Sequence, residues 1–461
     1  MSEDGGAART ATRVSGVTEA RHVAAEICAD LRRGELLDVS FDRQTVRLDP
    51  RDRRFARELV YGMLRRRSWL DALLDARVRG GLGRLDSDVH DLLRLGAYQL
   101  LYMRSVPAYA AIAQTVELAK RRHGVGPSRL ANAVLRRLDR EGEGGGGAVG
   151  RGNESLKVDT PADPVDAMAL AESHPRWLVA RWVARWGEAD TRRLLQANNT
   201  EPPLVARPIH AVREQVEAML EAAGITLADA PLVTDSILLA SPVSALTELG
   251  AFRQGLFHLQ DPASTLVTKY AAIPDGALVA DVCAAPGGKS VELTRRAGAV
   301  FASDLSFARL RRILENVKRM ELSTVFPYVA DARRPAIRSA DVVLIDAPCT
   351  GTGTFRRHPD ARWRLKPSDL AVMSALQREI LRASSTAVLP GGLLVYSTCS
   401  LEMEENDGQI ERFLSEHPTW QLEPPVEGVV PASVLDAGRL RVLPQKHGTD
   451  GAFAARLRRV S

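Results

Sequence analysis

The stretch Ala280-Asp-Val-Cys-Ala-Ala-Pro-Gly-Gly-Lys-Ser290 limits the fold of this chain more than any other. The apolar run over residues 277–282 is typical of a buried strand, and apolar residues at helical spacing begin near Lys289. Pro286-Gly287-Gly288 lies between them, where glycines permit a tight turn and the close approach of a ligand. A strand, a glycine-rich turn and a helix N-terminus in this order predict the nucleotide-binding corner of a doubly wound α/β domain.

Four later apolar runs predict strands that each end in an acidic residue or a thiol. Because such strands end at one edge of the sheet, where these folds bind ligands, we expect their last side chains to lie together. An acid after the second strand is the group that holds a ribose diol in nucleotide-binding folds of this kind. The runs are 299–304 ending in Asp304, 326–331 ending in Asp331, 341–346 ending in Asp346, and 392–399 ending in Cys399.

The chain has four cysteines, and none lies in a Cys-x-x-Cys pair or near a histidine cluster. We therefore expect no metal site, and we expect reduced thiols in a cytoplasmic chain. Cys28 lies on an apolar helical face, which is typical of core packing. Cys349 and Cys399 instead follow predicted strands at the nucleotide-binding edge. A thiolate adds well to an electron-poor carbon and leaves well afterwards, so this pair favours nucleophilic catalysis.

The basic charge of the chain is concentrated towards its N-terminus. Residues 1–140 contain 26 Lys and Arg against 18 Asp and Glu, whereas the rest of the chain is slightly acidic. Apolar residues at helical spacing predict a run of helices over 18–140, with the most apolar one over 92–102 at the centre. A basic helical module suggests a nucleic-acid partner, and the alternative is a solvated arginine-rich surface.

A length of 461 residues predicts two or three domains. There is no apolar run of membrane-spanning length and no signal peptide, so we expect a cytoplasmic protein. Trp177, Trp182 and Trp186 could stack on bases, but their helical spacing favours a core position. The predicted division is a disordered tail over 1–17, a helical domain over 18–140, a glycine-rich linker over 141–163, a small α+β domain over 164–261 and a Rossmann-like α/β domain over 262–461.

Three motifs carry a family resemblance. Asp281-Val-Cys-Ala-Ala-Pro-Gly-Gly-Lys289, Asp346-Ala-Pro-Cys-Thr-Gly351 and Ser397-Thr-Cys-Ser400 resemble the S-adenosylmethionine-dependent RNA cytosine-5 methyltransferases. The helices around 98–135 resemble the NusB-type RNA-binding domain. Together they make the chain similar to the bacterial RsmB/Fmu subgroup, which methylates small-subunit ribosomal RNA. Thr350 departs from the serine that is usual in the family, and this change is conservative.

The resemblance implies a class I methyltransferase domain and a role for each motif. Cys399 would be the nucleophile that adds to C6 of cytosine, and Cys349 would assist release of the methylated product. Asp346 would meet either the cofactor or the cytosine. Cofactor contacts would come from Cys283, Ala284, Ala285, Pro286, Gly287, Gly288 and Lys289, from Asp304 at the ribose and from Asp331 beside the adenine.

Arg356, Arg357 and His358 follow the second motif, and the resemblance makes them candidates to hold the RNA backbone. Ribosomal RNA is the expected partner, and nothing in the sequence demands more than a monomer. Two alternatives remain. A DNA cytosine-5 methyltransferase would use Cys349 as its nucleophile, and a non-catalytic NusB-like antitermination factor would only bind RNA.

Overall fold

The computed structural model describes residues 17–143, 156, 158–240 and 246–460. The chain forms two compact units, Met1–Ser173 and His174–Ser461. The tail predicted over 1–17 lies outside the described residues except for its last residue, and so does most of the glycine-rich linker predicted over 141–163. None of the described helices combines the length and apolar content that crossing a bilayer requires.

The first unit is helical, as the sequence predicted. The helix Ser87–Tyr102 is central, because it contacts five other helices of this unit. Glycines allow this close packing: a Cβ on Gly62 would lie 1.9 Å from the hydroxyl of Tyr98, and one on Gly96 would lie 2.7 Å from Leu135. The helices are α1 Glu19–Arg32, α2 Leu37–Gln44, α3 Pro50–Arg65, α4 Arg67–Asp75, α5 Ser87–Tyr102, α6 Ala108–His123, α7 Val125–Glu143 and α8 Pro164–Ala171.

Helix α8 extends the first unit beyond its predicted end. It packs against α4, and the hydroxyl of Ser173 accepts a hydrogen bond from the backbone N–H of Ser68 at 2.8 Å. These residues were predicted to belong to the following domain, because a glycine-rich segment separates them in sequence from the preceding helices.

Ion pairs inside the first unit neutralise part of its basic excess. Arg32 and Arg122 pair with Asp88 at 2.6 and 2.7 Å, and Arg94 pairs with Asp71 at 2.6 Å. Arg94 is buried and Arg122 is half-buried, so the charge count overstates how much positive charge reaches the surface.

The second unit begins with a small α+β subdomain, as predicted. Its antiparallel sheet has the strand order β2-β3-β1-β4. Trp182 is buried and donates to Glu402 at 3.0 Å, so it is a core residue as the sequence favoured, whereas Trp177 and Trp186 are half-buried. The elements are α9 Arg176–Asn198, β1 Leu204–Pro208, α10 Arg213–Ala222, β2 Leu227–Asp229, β3 Ile237–Leu239, α11 Gly250–Arg253 and β4 Phe257–Leu259.

The rest of the second unit is built on a mixed sheet with the order β11-β12-β13-β9-β8-β5-β6-β7, to which β10 adds beside β13. Strands β5 to β9 are parallel, and β13 joins them antiparallel to β9. The elements are α12 Pro262–Ala271, β5 Leu278–Asp281, α13 Gly288–Leu293, β6 Ala299–Asp304, α14 Phe307–Arg319, β7 Val325–Val329, β8 Ala340–Asp346, α15 Ala361–Arg364, α16 Pro367–Ser385, β9 Val388–Thr398, α17 Asp407–Glu416, β10 Trp420–Leu422, β11 Leu435–Asp436, β12 Arg439–Val442, α18 Pro444–His447 and β13 Ala452–Arg459.

Both faces of this sheet are buried, which explains its near-continuous apolar strands. Val279 and Val342 point into one apolar layer, and Ala280 and Val343 point into the other. The chain order reverses at β5, because β6 and β7 lie on one side of it and β8 and β9 on the other. Folds of this type bind ligands at this reversal, beyond the carboxyl ends of the strands.

Candidate active site

The ends of the central parallel strands bring the predicted residues to one edge. Strands β5, β6 and β8 end at Asp281, Asp304 and Asp346, and β9 ends at Thr398, directly before Cys399. The predicted strand 299–304 has the observed bounds, and the thiol that follows β9 lies where the sequence placed it. The chemistry is therefore concentrated on the side of the sheet that the fold predicts.

The two cysteines meet at this edge. The Sγ atoms of Cys349 and Cys399 are 3.3 Å apart, and both side chains are partly exposed. The hydrogen bond from Cys349 lowers the pKa of Cys399, and Lys289 and His358 act in the same direction against burial and Asp346. The pKa of Cys349 is raised because its thiol donates that bond, because it is buried and because the charge of Glu405 is nearby. Of the two thiols, Cys399 therefore has its pKa shifted down and Cys349 has its pKa shifted up.

Lys289 is held by the end of β8. Its ammonium lies 2.7 Å from Asp346 Oδ2, and the hydroxyl of Ser397 donates to Asp346 Oδ1 at 3.0 Å. Burial alone would lower the pKa of Lys289, but the pairing with Asp346 raises it, so a cation faces Cys399.

The loop between β5 and α13 lies against β6. Asp304 accepts from the backbone N–H groups of Ala285 at 3.3 Å and Ser306 at 2.9 Å. Gly287 has φ +105°, and a Cβ there would lie 2.9 Å from Ile313. The Ala285–Pro286 bond is cis. Burial raises the pKa of Cys283, the cysteine of this loop, so it remains a thiol.

Asp331 follows strand β7 and is not part of it. Strand β7 ends at Val329, so the strand predicted through Asp331 is too long. The carboxylate accepts from the backbone N–H of Arg333 at 2.9 Å and pairs with its guanidinium at 2.8 Å, which lowers the pKa of Asp331. An Asp that caps a turn in this way leaves the strand ladder, and no apolar pattern in the sequence marks that point.

A buried carboxyl that the sequence analysis missed joins the two cysteine loops. Glu405 is fully buried and accepts from the backbone N–H of Thr350 at 2.9 Å, from Gln377 Nε2 at 2.9 Å and from the hydroxyls of Thr350 and Ser400. The sequence did contain one signal for this carboxyl group. A hydroxyl residue directly follows each of the two cysteines, and two such hydroxyl donors need an acceptor when they are buried.

Arg356 and Arg357, which the sequence made candidates to hold the RNA backbone, are both engaged in ion pairs within the chain. Arg356 forms ion pairs with Asp261 at 2.9 Å and with Asp450 at 2.6 Å. Arg357 forms an ion pair with Asp261 at 2.6 Å and another with Asp450. Arg356 is buried, and its guanidinium connects its own loop to the segments that contain Asp261 and Asp450. His358, the next residue, is exposed.

Comparisons with known proteins agree with this geometry. The family description "16S rRNA methyltransferase RsmB/F" matches residues 271–458, the NusB family matches 18–140, and an RsmF/B-like ferredoxin-like domain matches 174–245. A Synechocystis protein named probable ribosomal RNA small subunit methyltransferase B is 34% identical over 95% of this chain and 99% of its own length. A Vibrio cholerae relative, named ribosomal RNA small subunit methyltransferase B, is 35% identical over 88% of this chain and 89% of its own.

The chain belongs to the RsmB/F methyltransferase family. The sequence prediction of this family is confirmed, together with its helical, small α+β and methyltransferase parts. Among solved structures, PH0851 is 26% identical, with a TM-score of 0.77 over 95% of this chain and 98% of that one. A methyltransferase homolog from Pyrococcus horikoshii is 27% identical, with a TM-score of 0.55 over 64% and 99%.

The cofactor of this RsmB/F chain is S-adenosyl-L-methionine, as the sequence predicted. The edge of the sheet fits such a group, because it has buried polar atoms without hydrogen-bond partners among the described residues. They are Asp281 Oδ1 and both amide atoms of Gln260, and Gln260 Nε2 would lie 3.5 Å from a Cβ on Gly288. Burial raises the pKa of Asp281 to about 7. Neither residue was predicted from the sequence to have a role, although Asp281 begins the first of the three motifs.

Proposed function

We propose that this chain methylates C5 of a cytosine in small-subunit (16S) ribosomal RNA through a covalent bond between Cys399 and C6. The observation that carries the proposal is the pair of thiols at the strand edge, with the lowered pKa on Cys399 and the raised pKa on Cys349. The names of the relatives support ribosomal RNA of the small subunit as the substrate.

Cys399 acts as the nucleophile. Its thiolate adds to C6 of cytosine, and the electron pair of the C5–C6 bond moves to C5, which becomes carbanion-like. S-adenosyl-L-methionine, when bound, supplies an electrophilic methyl group for C5. A base then removes the C5 proton, the double bond re-forms, and the Cys399 thiolate leaves. Cys349, held as a thiol 3.3 Å away, assists this release.

Residues of the glycine-rich loop hold the cofactor. Asp304 would take the ribose hydroxyls, and Asp331, whose carboxylate also pairs with Arg333, would contact the adenine. Asp346 and Lys289 face either the cofactor or the cytosine ring. The loop residues are Cys283, Ala284, Ala285, Pro286, Gly287, Gly288 and Lys289.

The RNA must present its target base outside a stack, because C6 and C5 are approached from opposite faces. The helical unit, with its excess of arginine, binds the ribosomal RNA, free or in an assembly intermediate, and the protein acts as a monomer. The unequal thiols argue against the DNA methyltransferase alternative, since that reaction would need Cys349 as the thiolate.

The test is methyl transfer from labelled S-adenosyl-L-methionine to unmodified 16S RNA and to small subunits, with the product mapped by bisulfite sequencing. We expect methylation at one cytosine with the wild type and with the buried control Cys28→Ala, and none with Cys399→Ala. Retained transfer by Cys399→Ala with loss in Cys349→Ala would contradict the assignment of the nucleophile. No transfer by the wild type to either RNA would favour the non-catalytic RNA-binding factor.

A further inference from the structure

The two cysteines depend on a contact between loops that are distant in sequence. Cys349 follows β8 and Cys399 follows β9, yet their sulfurs are 3.3 Å apart. Besides that contact, the backbone N–H of Gly353 donates to the carbonyl of Cys399 at 2.9 Å. A carboxyl group joins the same two loops one residue beyond each sulfur. Thr350 and Ser400 both donate their hydroxyls to Glu405 Oε2, so one oxygen atom receives a bond from each loop.

We propose that Glu405 is a positioning residue that holds the Cys349 loop and the Cys399 loop in register, so that the two sulfurs meet over the target base. The proposal rests on the proposed function for its catalytic meaning. It assigns to Glu405 no contact with the RNA or the cofactor.

Glu405 can act in this way because it is itself fixed. Gln377 of α16 donates to Glu405 Oε1 at 2.9 Å and to the carbonyl of Pro348 at 2.8 Å, so the same amide supports the carboxyl and the loop before Cys349. The hydroxyl of Tyr396 donates to the backbone carbonyl of Glu405 at 2.7 Å. A buried carboxylate with this many donors has one orientation.

The residue after Glu405 supports the second loop. The amide nitrogen of Asn406 donates to the carbonyl of Ser400 at 2.9 Å, and its oxygen accepts from the hydroxyl of Thr398 at 2.6 Å. Cys399 is therefore bracketed by a side chain that binds the residues before and after it. Small displacements of such loops matter, because a misplacement of about 1 Å can cost about 100-fold in rate.

The charge of Glu405 complements its geometry. Glu405, Cys399 and Tyr396 interact electrostatically with Cys349. The groups that shift the pKa of Cys399 are instead Cys349, Asp346, Lys289 and His358. An anion on the side of Cys349 and a cation on the side of Cys399 make the two sulfurs unequal. Glu405 thus favours the thiol on one loop while it holds both loops in place.

The departure of Thr350 from the serine usual in the family is explained by the same bond. A threonine keeps the hydroxyl that Glu405 accepts. Thr350→Ser therefore keeps the bond and Thr350→Val removes it at nearly constant shape, which separates the role of the hydrogen bond from the role of packing.

The experiment compares Glu405→Gln with Glu404→Gln, its exposed neighbour, which pairs with Arg181 on the surface. The rate at which iodoacetamide alkylates Cys349 and Cys399 is measured against pH by peptide mass spectrometry, without RNA or cofactor. We expect Glu405→Gln to move the alkylation profile of Cys349 to lower pH by about one unit, and Glu404→Gln to leave it unchanged. This readout does not depend on methyl transfer, so it stands if the proposed substrate is wrong.

Turnover is the second readout. We expect Glu405→Gln and Thr350→Val to lower kcat by about 10- to 100-fold with KM for RNA unchanged, and Thr350→Ser to keep the wild-type kcat. If Glu405→Gln shows no cooperative unfolding transition, the same two measurements are made on Thr350→Val and Ser400→Ala, which each remove one hydrogen bond to Glu405. Folded variants with the wild-type alkylation profile and the wild-type kcat would overturn the proposal.

Discussion

The ammonium of Lys289 lies 2.7 Å from the carboxylate of Asp346, and both groups act on the sulfur of Cys399. The cation lowers the pKa of that thiol, and the anion raises it. The ion pair therefore contributes two opposed charges to the pKa of Cys399, next to the larger effects of the Cys349 hydrogen bond and of burial.

Lys289→Met should make Cys399 less reactive. Removing the cation leaves Asp346 unpaired beside the sulfur, so the pKa of Cys399 rises and its alkylation profile moves to higher pH. The measurement is iodoacetamide labelling of Cys399 against pH, with the exposed Lys318→Met as the matched control. An unchanged profile in the Lys289 variant would show that this charge does not reach the thiol.

Gly287→Ala should weaken cofactor binding. The residue has φ +105°, and its new Cβ would lie 2.9 Å from Ile313, so the loop must shift. Gly276→Ala is a matched control, because it also has a positive φ of +75° but meets nothing within 4 Å. Calorimetric titration with S-adenosyl-L-methionine should show at least about a tenfold loss of affinity for Gly287→Ala alone. If both variants lose the same affinity for S-adenosyl-L-methionine, the cause is backbone strain in general and not the contact with Ile313.

Arg356→Met should destabilise the second unit rather than weaken RNA binding alone. Its guanidinium lies in a buried cluster with Asp261 and Asp450, and removing it leaves two buried carboxylates that share the guanidinium of Arg357. We expect a loss of about 3–5 kcal/mol in the free energy of unfolding by urea titration. The exposed Arg412→Met should be neutral. A normal unfolding curve with weakened RNA binding would instead restore the sequence-based prediction.

The buried pair of Arg207 and Glu292 should make stability depend on acidity. The two side chains form a bidentate ion pair, with Nη2–Oε1 at 2.5 Å and Nε–Oε2 at 3.0 Å. Burial opposes ionisation, but His258 and Arg207 lower the pKa of Glu292 from its ordinary 4.5 to about 2. Because the pKa is depressed by folding, the stabilisation is complete above pH 4.5 and is lost as pH falls towards 2. It amounts to about 3 kcal/mol.

The measurement is the free energy of unfolding against pH for the wild type and Glu292→Gln. The wild type should lose stability more steeply than the variant between pH 4.5 and 2. Parallel curves over that range would show that Glu292 is not ionised differently in the folded and unfolded chain.

Patterns local in sequence predicted the fold well. Strand β6 has its predicted bounds because an apolar run flanked by a glycine and an acid defines both of its ends, and β5 leads into the glycine-rich turn as expected. Strand β7 was predicted too long, because Asp331 binds the next turn instead of the ladder. The pattern of apolar residues in a sequence does not predict hydrogen bonds of this kind, which a polar side chain makes to a nearby turn.

Contacts distant in sequence were not predictable in the same way. The motif that follows Cys349 suggested that Arg356 and Arg357 face RNA, but their partners Asp261 and Asp450 are 189 residues apart in the sequence. Glu405 was overlooked for the same reason, since only the folded chain shows that Thr350 and Ser400 converge on it. Side-chain burial and pairing are properties of the tertiary structure.

The most direct test of the account is the covalent adduct with RNA. Cys349→Ala is incubated with S-adenosyl-L-methionine and unmodified 16S RNA, and the denatured, nuclease-treated protein is analysed by peptide mass spectrometry. We expect a stable adduct of a methylated cytosine on the peptide that carries Cys399, and none in Cys349→Ala/Cys399→Ala. An adduct on Cys349 that accumulates in Cys399→Ala, with none in Cys349→Ala, would contradict it.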